Sequence, residues 1–337
     1  DQGMTTTPSR QQTPVYKRSD ISVTDIANKA NVSLGTVSRV MNQVPGVTEA
    51  MQRKVLHASR QLGFIPRLER PSIAILTGRH SPAMPVGYVS CVTTLLWRQL
   101  ADLGYGVEII DDNHTQAVLQ SHARGVIGIV FDDRMNSLQD IPKLPLLTIN
   151  NPMTDKGIHS IVTDHRAQAQ MATEHLLQHG HQRIGLLVIQ TDEWGASQRI
   201  EGFKQTMAKA GHTVDPTCIA PTSEQPIYDI LNRWQRNGIT ALLNFSEDCA
   251  LEVIHILSNV LKLKIGKDVS TISLEDLPIY QYLSPPQTTI KQPLDDLAQL
   301  AVEHITRLCD TDVKHKDITD ITLPSQLIQR DSVAKLA

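Results

Sequence analysis

Near the start of the chain, Val23, Ile26, Ala27 and Ala30 recur at the i, i+3, i+4 and i+7 spacing of a single helix face. A few residues on, Val37, Val40 and Met41 repeat the stripe, and Ser33 stands where a hydroxyl caps the first turn of a second helix. A third helix is predicted from Thr48, with Val55, Leu56, Leu62 and Phe64 closing a small core and Arg53, Lys54 and Arg60 on its polar side. Residues 20–66 are therefore expected to form a small all-α unit in which two short helices meet at a tight turn.

Further along, the period changes. Apolar runs at Ser72–Thr77, Val107–Ile110, Val126–Phe131 and Leu146–Ile149 alternate with helical segments at Val86–Leu103 and Thr115–Ala123. A second series follows, with strands at Ile184–Ile189, Ala241–Phe245 and Val269–Leu274 and helices near Arg166–His179, Ser197–Ala210 and Glu247–Leu261. Continuously apolar strands alternating with helices predict α/β architecture, with parallel sheets covered on both faces. Two such series predict a two-lobed, binding-protein-like body over residues 73–332, joined to the head by a short linker at 67–72. Residues 1–19 form a tail predicted to be disordered, and its stretch 5–14 is rich in Thr, Gln and Pro without an apolar period. Met4 reads as a start residue, with Asp1–Gly3 an addition ahead of it.

Charge sharpens the picture. Residues 1–70 hold ten Lys and Arg against five Asp and Glu, a net +5 in a chain of net −3, so residues 71–337 carry −8. A basic head on an acidic body suits a polyanion bound at one end. On the second helix, Leu34, Gly35, Thr36, Ser38 and Arg39 are left facing outward, with Thr24, Ser33 and Asn42 at the edges of that surface. In a helix-turn-helix, the early residues of the second helix reach base edges in the major groove while hydroxyl and basic neighbours hold phosphates. Arg39 has the fork geometry for guanine, and Leu34 can touch a thymine methyl.

The segment Val32-Ser33-Leu34-Gly35-Thr36-Val37-Ser38-Arg39-Val40-Met41-Asn42 resembles the signature of the lactose-repressor/galactose-repressor (LacI/GalR) family. Further segments resemble the same family in the same order: Ala172–Leu176 running to Gly180–Gly185, Arg199–Phe203, Asp268–Ser270 and Pro285–Pro293. The resemblance covers roughly residues 21–332. It implies a regulator, expected to be a repressor, whose affinity for double-stranded operator DNA is set by a small molecule bound between the lobes. It also implies a homodimer on a palindromic site, and an interleaved body: one subdomain at 73–162 plus 288–313, the other at 163–287 plus 314–332. The segment Val86–Leu103 lies where the family's dimer face begins, although its Val89, Val92, Leu96 and Trp97 are equally compatible with core packing.

In open α/β sheets, ligands sit beyond the carboxyl ends of the strands. That position selects Arg79, His80, Asp132, Asn150, Asp164, Trp194, Asp248 and Glu275 as effector-binding candidates, and Arg199 joins them by resemblance. The Arg199 fork suits a polyol or an acid, with a salt bridge at a helix start as its alternative role. Carboxylates such as Asp248 and Glu275 accept from vicinal hydroxyls, which makes a sugar the expected effector. Trp194 either stacks on a sugar face or covers a hydrophobic edge.

One departure concerns the linker. Members of the family carry a short helix there that inserts a leucine into the minor groove. Here only about 25 Å of extended chain separates Pro66 from Ile73, and Pro71 keeps Arg70 out of helical conformation. Leu68 is the one candidate wedge, and the operator is expected to be bent less than by typical relatives. Gly35 is a second departure, leaving base reading to Leu34, Thr36 and Arg39.

Other features exclude. No apolar run has membrane-spanning length and no secretory leader is visible, so a cytoplasmic, nucleoid-associated protein is expected. Cys91, Cys218, Cys249 and Cys309 are widely spaced and fit a reducing compartment. His175, His179 and His181 lie close together without a metalloprotease pattern, no phosphate-binding loop occurs, and no cofactor, metal or catalysis is expected. The alternatives are a regulator that has lost its effector, or a solute-binding protein or enzyme with a vestigial head.

Overall fold

The computed structural model describes residues 21–64, 71–78, 87–245, 247–310 and 317–336, and of residues 247 and 248 only the backbone. The chain divides into two compact units, Asp1–Leu68 and Glu69–Ala337.

In the first unit, each of three helices starts at a hydroxyl cap. Ser22 opens α1 (Val23–Ala30) in a reciprocal capping box with Asp25, Ser33 opens α2 (Leu34–Met41), and Thr48 opens α3 (Glu49–Leu62). Asn31 ends α1 in the left-handed conformation at φ 53° and so sets the tight turn into α2. Ile26, Ala27, Ala30, Val37, Val40, Met41, Val55, Leu56 and Ala58 form the core, with Val32, Leu62 and Phe64 against it. Two expectations change. Val23 is 39% exposed, because the core reaches the α1 stripe only from Ile26 onward. Arg60 is buried rather than on the polar side, since it lies one turn beyond Leu56 on the same stripe.

The second unit contains two six-stranded sheets. Its elements in chain order are β1 (Ser72–Thr77), α4 (Tyr88–Asp102), β2 (Gly106–Ile110), β3 (Ala123–Ile129), β4 (Leu146–Ile149), β5 (His159–Thr163), α5 (His165–Gln178), β6 (Ile184–Val188), α6 (Trp194–Lys209), β7 (Ile219–Pro221), α7 (Ile227–Arg236), β8 (Ala241–Asn244), α8 (Glu247–His255), β9 (Ser270–Ser273), β10 (Thr288–Lys291), α9 (Leu294–Asp310), β11 (Asp320–Leu323) and β12 (Gln326–Ile328). The first sheet runs β11-β5-β4-β3-β1-β2, all parallel; the second runs β12-β10-β9-β8-β6-β7, parallel except for β12 against β10.

Successive strand residues feed opposite faces, as pleating requires. Ile73 and Ile75 pack with α4 and α9, whereas Ala74 and Leu76 pack with Val118, Met135 and Leu138. In the second sheet, Leu186 and Val188 meet Ala172 of α5 and Phe203 of α6, while Leu187 and Leu242 meet Trp234 of α7 and Val253 of α8.

Strand pairing corrects the expected division of the body. Thr288–Lys291, assigned with the first subdomain, pairs with β9 and β12 of the second sheet. Asp320–Leu323, assigned with the second, pairs with β5 of the first. The chain therefore passes between sheets three times, after Thr163, after Lys291 and after Leu323. The helical segment expected at Thr115–Ala123 is a kinked 3-10 stretch that runs earlier, Asp112–Gln120, with Ala123 already opening β3. A serine whose hydroxyl accepts from the Ala123 amide and donates to the Val118 carbonyl ends it.

Candidate functional site: the second helix of the head and the cleft of the body

On α2 the buried residues are Val37, Val40 and Met41. The opposite side presents Leu34, 52% exposed, with Gly35, Ser38 and Arg39 also exposed and Thr36 half-buried. Ser33 Oγ accepts from the Thr36 amide at 3.1 Å and lies 2.9 Å from Thr36 Oγ1, so these two hydroxyls are committed to the cap. Asn42 is likewise engaged, its Nδ2 donating to the Ser38 carbonyl at 2.9 Å and closing the last turn. Arg39 and Leu34 are thus the long side chains that this surface offers outward. Thr24 is exposed on α1. A Cβ built at Gly35 would meet only Ser33 Oγ, at 3.8 Å, so the helix backbone there is open to close approach. Leu68 lies outside the described residues.

In the body, the strand order reverses between β1 and β3 and between β6 and β8. These are the points where an open sheet forms a crevice. Arg199 of α6 and Glu275, two residues beyond β9, both follow carboxyl ends of strands of the second sheet and face each other. Arg199 Nη2 stands 3.7 Å from Glu275 Oε1, and both residues are buried. The guanidinium carbon sits 4.3 Å from the centroid of the Phe245 ring, just past β8. Arg199 Nη2 also donates to Gln168 Oε1 at 3.1 Å.

Asn150 ends β4 at φ 52° and is buried, held by bonds to Tyr88 Oη (2.6 Å), Gln292 Oε1 (3.2 Å) and the Thr163 amide (2.7 Å). Trp194 opens α6 and meets the His165 ring edge-on at 5.1 Å. His165 is fully buried, and burial followed by the Arg199 cation hold its imidazole well below the usual histidine range. The structure thus gathers Arg199, Glu275, Asn150 and Trp194, with His165, into one neighbourhood.

The remaining candidates separate. Asp164 caps α5, accepting from the Ala167 amide at 2.9 Å. Asp132 is exposed and holds Arg134, which also binds Asp112 at 2.8 Å. Arg79 and His80 lie outside the described residues, as does the side chain of Asp248.

Sequence reasoning missed Gln168, Gln292, Thr163 and Tyr88. Gln168 carries a readable signal: it shares the i, i+4, i+8 stripe of α5 with buried Ala172 and Leu176, where a polar residue demands a partner. The three clustered histidines are structural. His179 Nδ1 contacts the His175 carbonyl at 2.7 Å, and the His181 ring bridges Thr240 and the Ala334 carbonyl. Among the described residues no group of His, Cys, Asp and Glu is arranged to hold a metal, and no helix is long and apolar enough to cross a membrane.

Comparison with known proteins agrees with this two-part layout. Residues 22–67 match the family of bacterial regulatory proteins of the lacI type, and residues 173–333 match a periplasmic binding protein-like domain. The transcriptional regulator DegA of Bacillus subtilis is 25% identical over 94% of this chain and 98% of its own length. Two solved structures share the fold. A LacI-family regulator from Enterococcus faecium with bound ribose has a TM-score of 0.70 at 21% identity, over 79% of this chain and 100% of its own. A lac repressor dimer bound to operator and the anti-inducer ONPF has a TM-score of 0.65 at 22% identity, over 93% of this chain and 99% of its own.

Proposed function

We propose that this chain, whose head matches the lacI-type regulatory family and whose body matches a periplasmic binding protein-like domain, is a regulator of the LacI family that represses transcription from a palindromic operator, under control of an uncharged sugar or sugar derivative. Its matched relatives are DNA-binding regulators rather than enzymes.

The observation that carries the DNA reading is α2. Its apolar side is consumed by the head's core and its caps by Ser33 and Asn42, which leaves Leu34 and Arg39 to meet base edges, with Ser38 and Thr24 toward phosphates. The +5 charge of residues 1–70 supports a polyanionic partner. A homodimer supplies two such heads, and the apolar groove beside α4 supports that assembly: about 330 Å³ lined by Thr93, Thr94, Trp97, Val107 and Ile109. Relatives named as transcriptional regulators support action in the cytoplasm, on nucleoid DNA. The short spacing between head and body supports modest operator bending, with Leu68 as its wedge.

The effector reading rests on the Arg199–Glu275 pair. A cation already faced by a carboxylate is poorly suited to an anionic ligand, whereas the two together offer a donor and an acceptor to adjacent hydroxyls. Asn150 is linked to Glu275 through Gln292, and Trp194 to Arg199 through His165 and Gln168; Asp248 and Arg79 join the reading by their place in the sequence after β8 and β1. The E. faecium neighbour binds ribose and another neighbour, the regulator CelR, is a cellobiose complex.

The test is selection of bound duplexes from a random pool, followed by anisotropy titration of the selected duplex with and without a sugar panel that includes ribose and cellobiose. The expected result is a palindromic duplex whose affinity moves with one uncharged sugar. A palindrome indifferent to every sugar overturns the effector reading, and an empty selection overturns the operator reading.

A further inference from the structure

Five side chains around the cleft close into a ring. Arg199 Nη2 donates to Gln168 Oε1 at 3.1 Å; Gln168 Nε2 donates to Thr163 Oγ1 at 3.2 Å. Thr163 Oγ1 donates to Gln292 Oε1 at 2.7 Å, and Gln292 Nε2 donates to Glu275 Oε1 at 2.9 Å. Glu275 Oε1 faces Arg199 Nη2 at 3.7 Å, the longest link and the only one beyond hydrogen-bond length.

The ring is anchored where the chain passes between the sheets. Thr163 ends β5 at the first crossing and Gln292 follows β10 at the second. Gln168 Nε2 also donates at 2.9 Å to Ser325 Oγ, which lies between β11 and β12 at the third. Each glutamine is close to saturated. Gln168 uses both donor positions on Thr163 and Ser325, and its oxygen takes Arg199 and His165 Nδ1 at 3.0 Å. The Gln292 oxygen takes Thr163 and Asn150. Gln168 is fully buried and Gln292 4% exposed, so these amides are shielded from bulk solvent and a shift of Arg199 or Glu275 is passed on through them.

We propose that Gln168 and Gln292 are positioning residues that tie the Arg199–Glu275 pair to all three crossings between the sheets, so that a ligand separating the pair alters how firmly the crossings are held. The ligand's identity rests on the effector reading above; the coupling itself does not. A hydroxyl inserted at the 3.7 Å link takes the Glu275 oxygen from Gln292 or the Arg199 nitrogen from Gln168. Either exchange leaves an amide group at a crossing to find a new partner.

The coupling can be measured on the full chain without any effector, by hydrogen exchange. The Thr163 amide donates to Asn150 Oδ1 and the Asp164 amide to the Leu323 carbonyl, so both report on crossings. Strand β3 amides serve as the reference for global opening. Arg199→Lys and Glu275→Gln are each expected to speed exchange at Thr163 and Asp164 about tenfold relative to β3, the size of losing one charge-assisted hydrogen bond. In a Gln168→Met background, Arg199→Lys is expected to add clearly less than it does alone, because only the route through Glu275 and Gln292 remains. Gln168→Glu separates coupling from packing: it keeps the acceptor for Arg199, loses the donors to Thr163 and Ser325, and is expected to expose the crossings as Gln168→Met does. Equal acceleration by Arg199→Lys with and without Gln168, or no acceleration at the crossings in either single variant, overturns the proposal. A sugar panel without a hit leaves this result standing.

Discussion

Arg39 and His165 show how much one side chain decides here. Arg39 is exposed on α2 while its neighbours Ser33, Thr36 and Asn42 are held by the caps, so it is the long donor left for a base edge. Arg39→Ala is expected to weaken operator binding by about 1–3 kcal/mol and to relax selectivity at one base pair per half-site, with the melting temperature unchanged; competition anisotropy with single-substituted operators checks this. His165 makes the opposite kind of prediction. Its folded pKa is depressed, so the unfolded chain takes up the proton first. Its contribution to stability is complete above the unfolded value of about 6.5 and is lost progressively as pH falls from there toward the folded value. His175 and His181 are depressed by burial too and add to the loss with the same sign. Urea midpoints should therefore fall between pH 7.5 and pH 5.5, and His165→Gln should lose less over that interval than the parent chain. A parent midpoint that is flat over that range contradicts the assignment.

The helices and strands were legible in the sequence wherever their signals are local. Ser22, Ser33 and Thr48 stand one residue ahead of their helices, and a cap acts within four residues. Runs such as Ser72–Thr77 and Leu146–Ile149 coincide with β1 and β4 because a strand buried on both faces is apolar apart from small hydroxyls, of which Thr148 finds partners in Asn151 and Ser160. What was not legible depends on pairing between distant segments. Nothing within Thr288–Lys291 or Asp320–Leu323 states which sheet it joins; each strand is four residues long and finds its sheet through neighbours far away in sequence. The cleft shows the same division. Arg199 and Glu275 follow from strand ends and motif, whereas Gln292 meets Thr163 and Asn150 across more than a hundred residues. Local logic also sets the stability of α2. Ser33→Ala should cost about 1 kcal/mol, read as faster hydrogen exchange of the α2 amides. Gly35→Ala should slow the same exchange by the equivalent of about 0.5–1 kcal/mol, since the added methyl group meets only Ser33 Oγ and removes backbone freedom from the unfolded chain.

At the scale of the whole molecule, a single short head contacts too few base pairs for tight, selective binding, and joining two heads supplies the rest without any new contact to DNA. The body offers a surface for that joining. Trp97 and Ile109 are 54% and 55% exposed beside the groove of about 330 Å³, whereas Val92, Leu96 and Leu100 on the same helix are fully buried in the first sheet's core. The buried residues hold the fold, and Trp97, outside that core, is left for the proposed association surface. Large apolar side chains exposed side by side are compatible with an association surface. Trp97→Arg combined with Ile109→Lys is therefore expected to give a monomer by sedimentation velocity, with the melting curve of the body little changed because neither side chain is in the core. Affinity for a palindromic operator should then drop by about a hundredfold or more, while affinity for an isolated half-site stays the same. Retention of the dimer in that variant would place the interface elsewhere; a half-site loss equal to the palindrome's would mean that the substitutions had reached the head instead of the assembly.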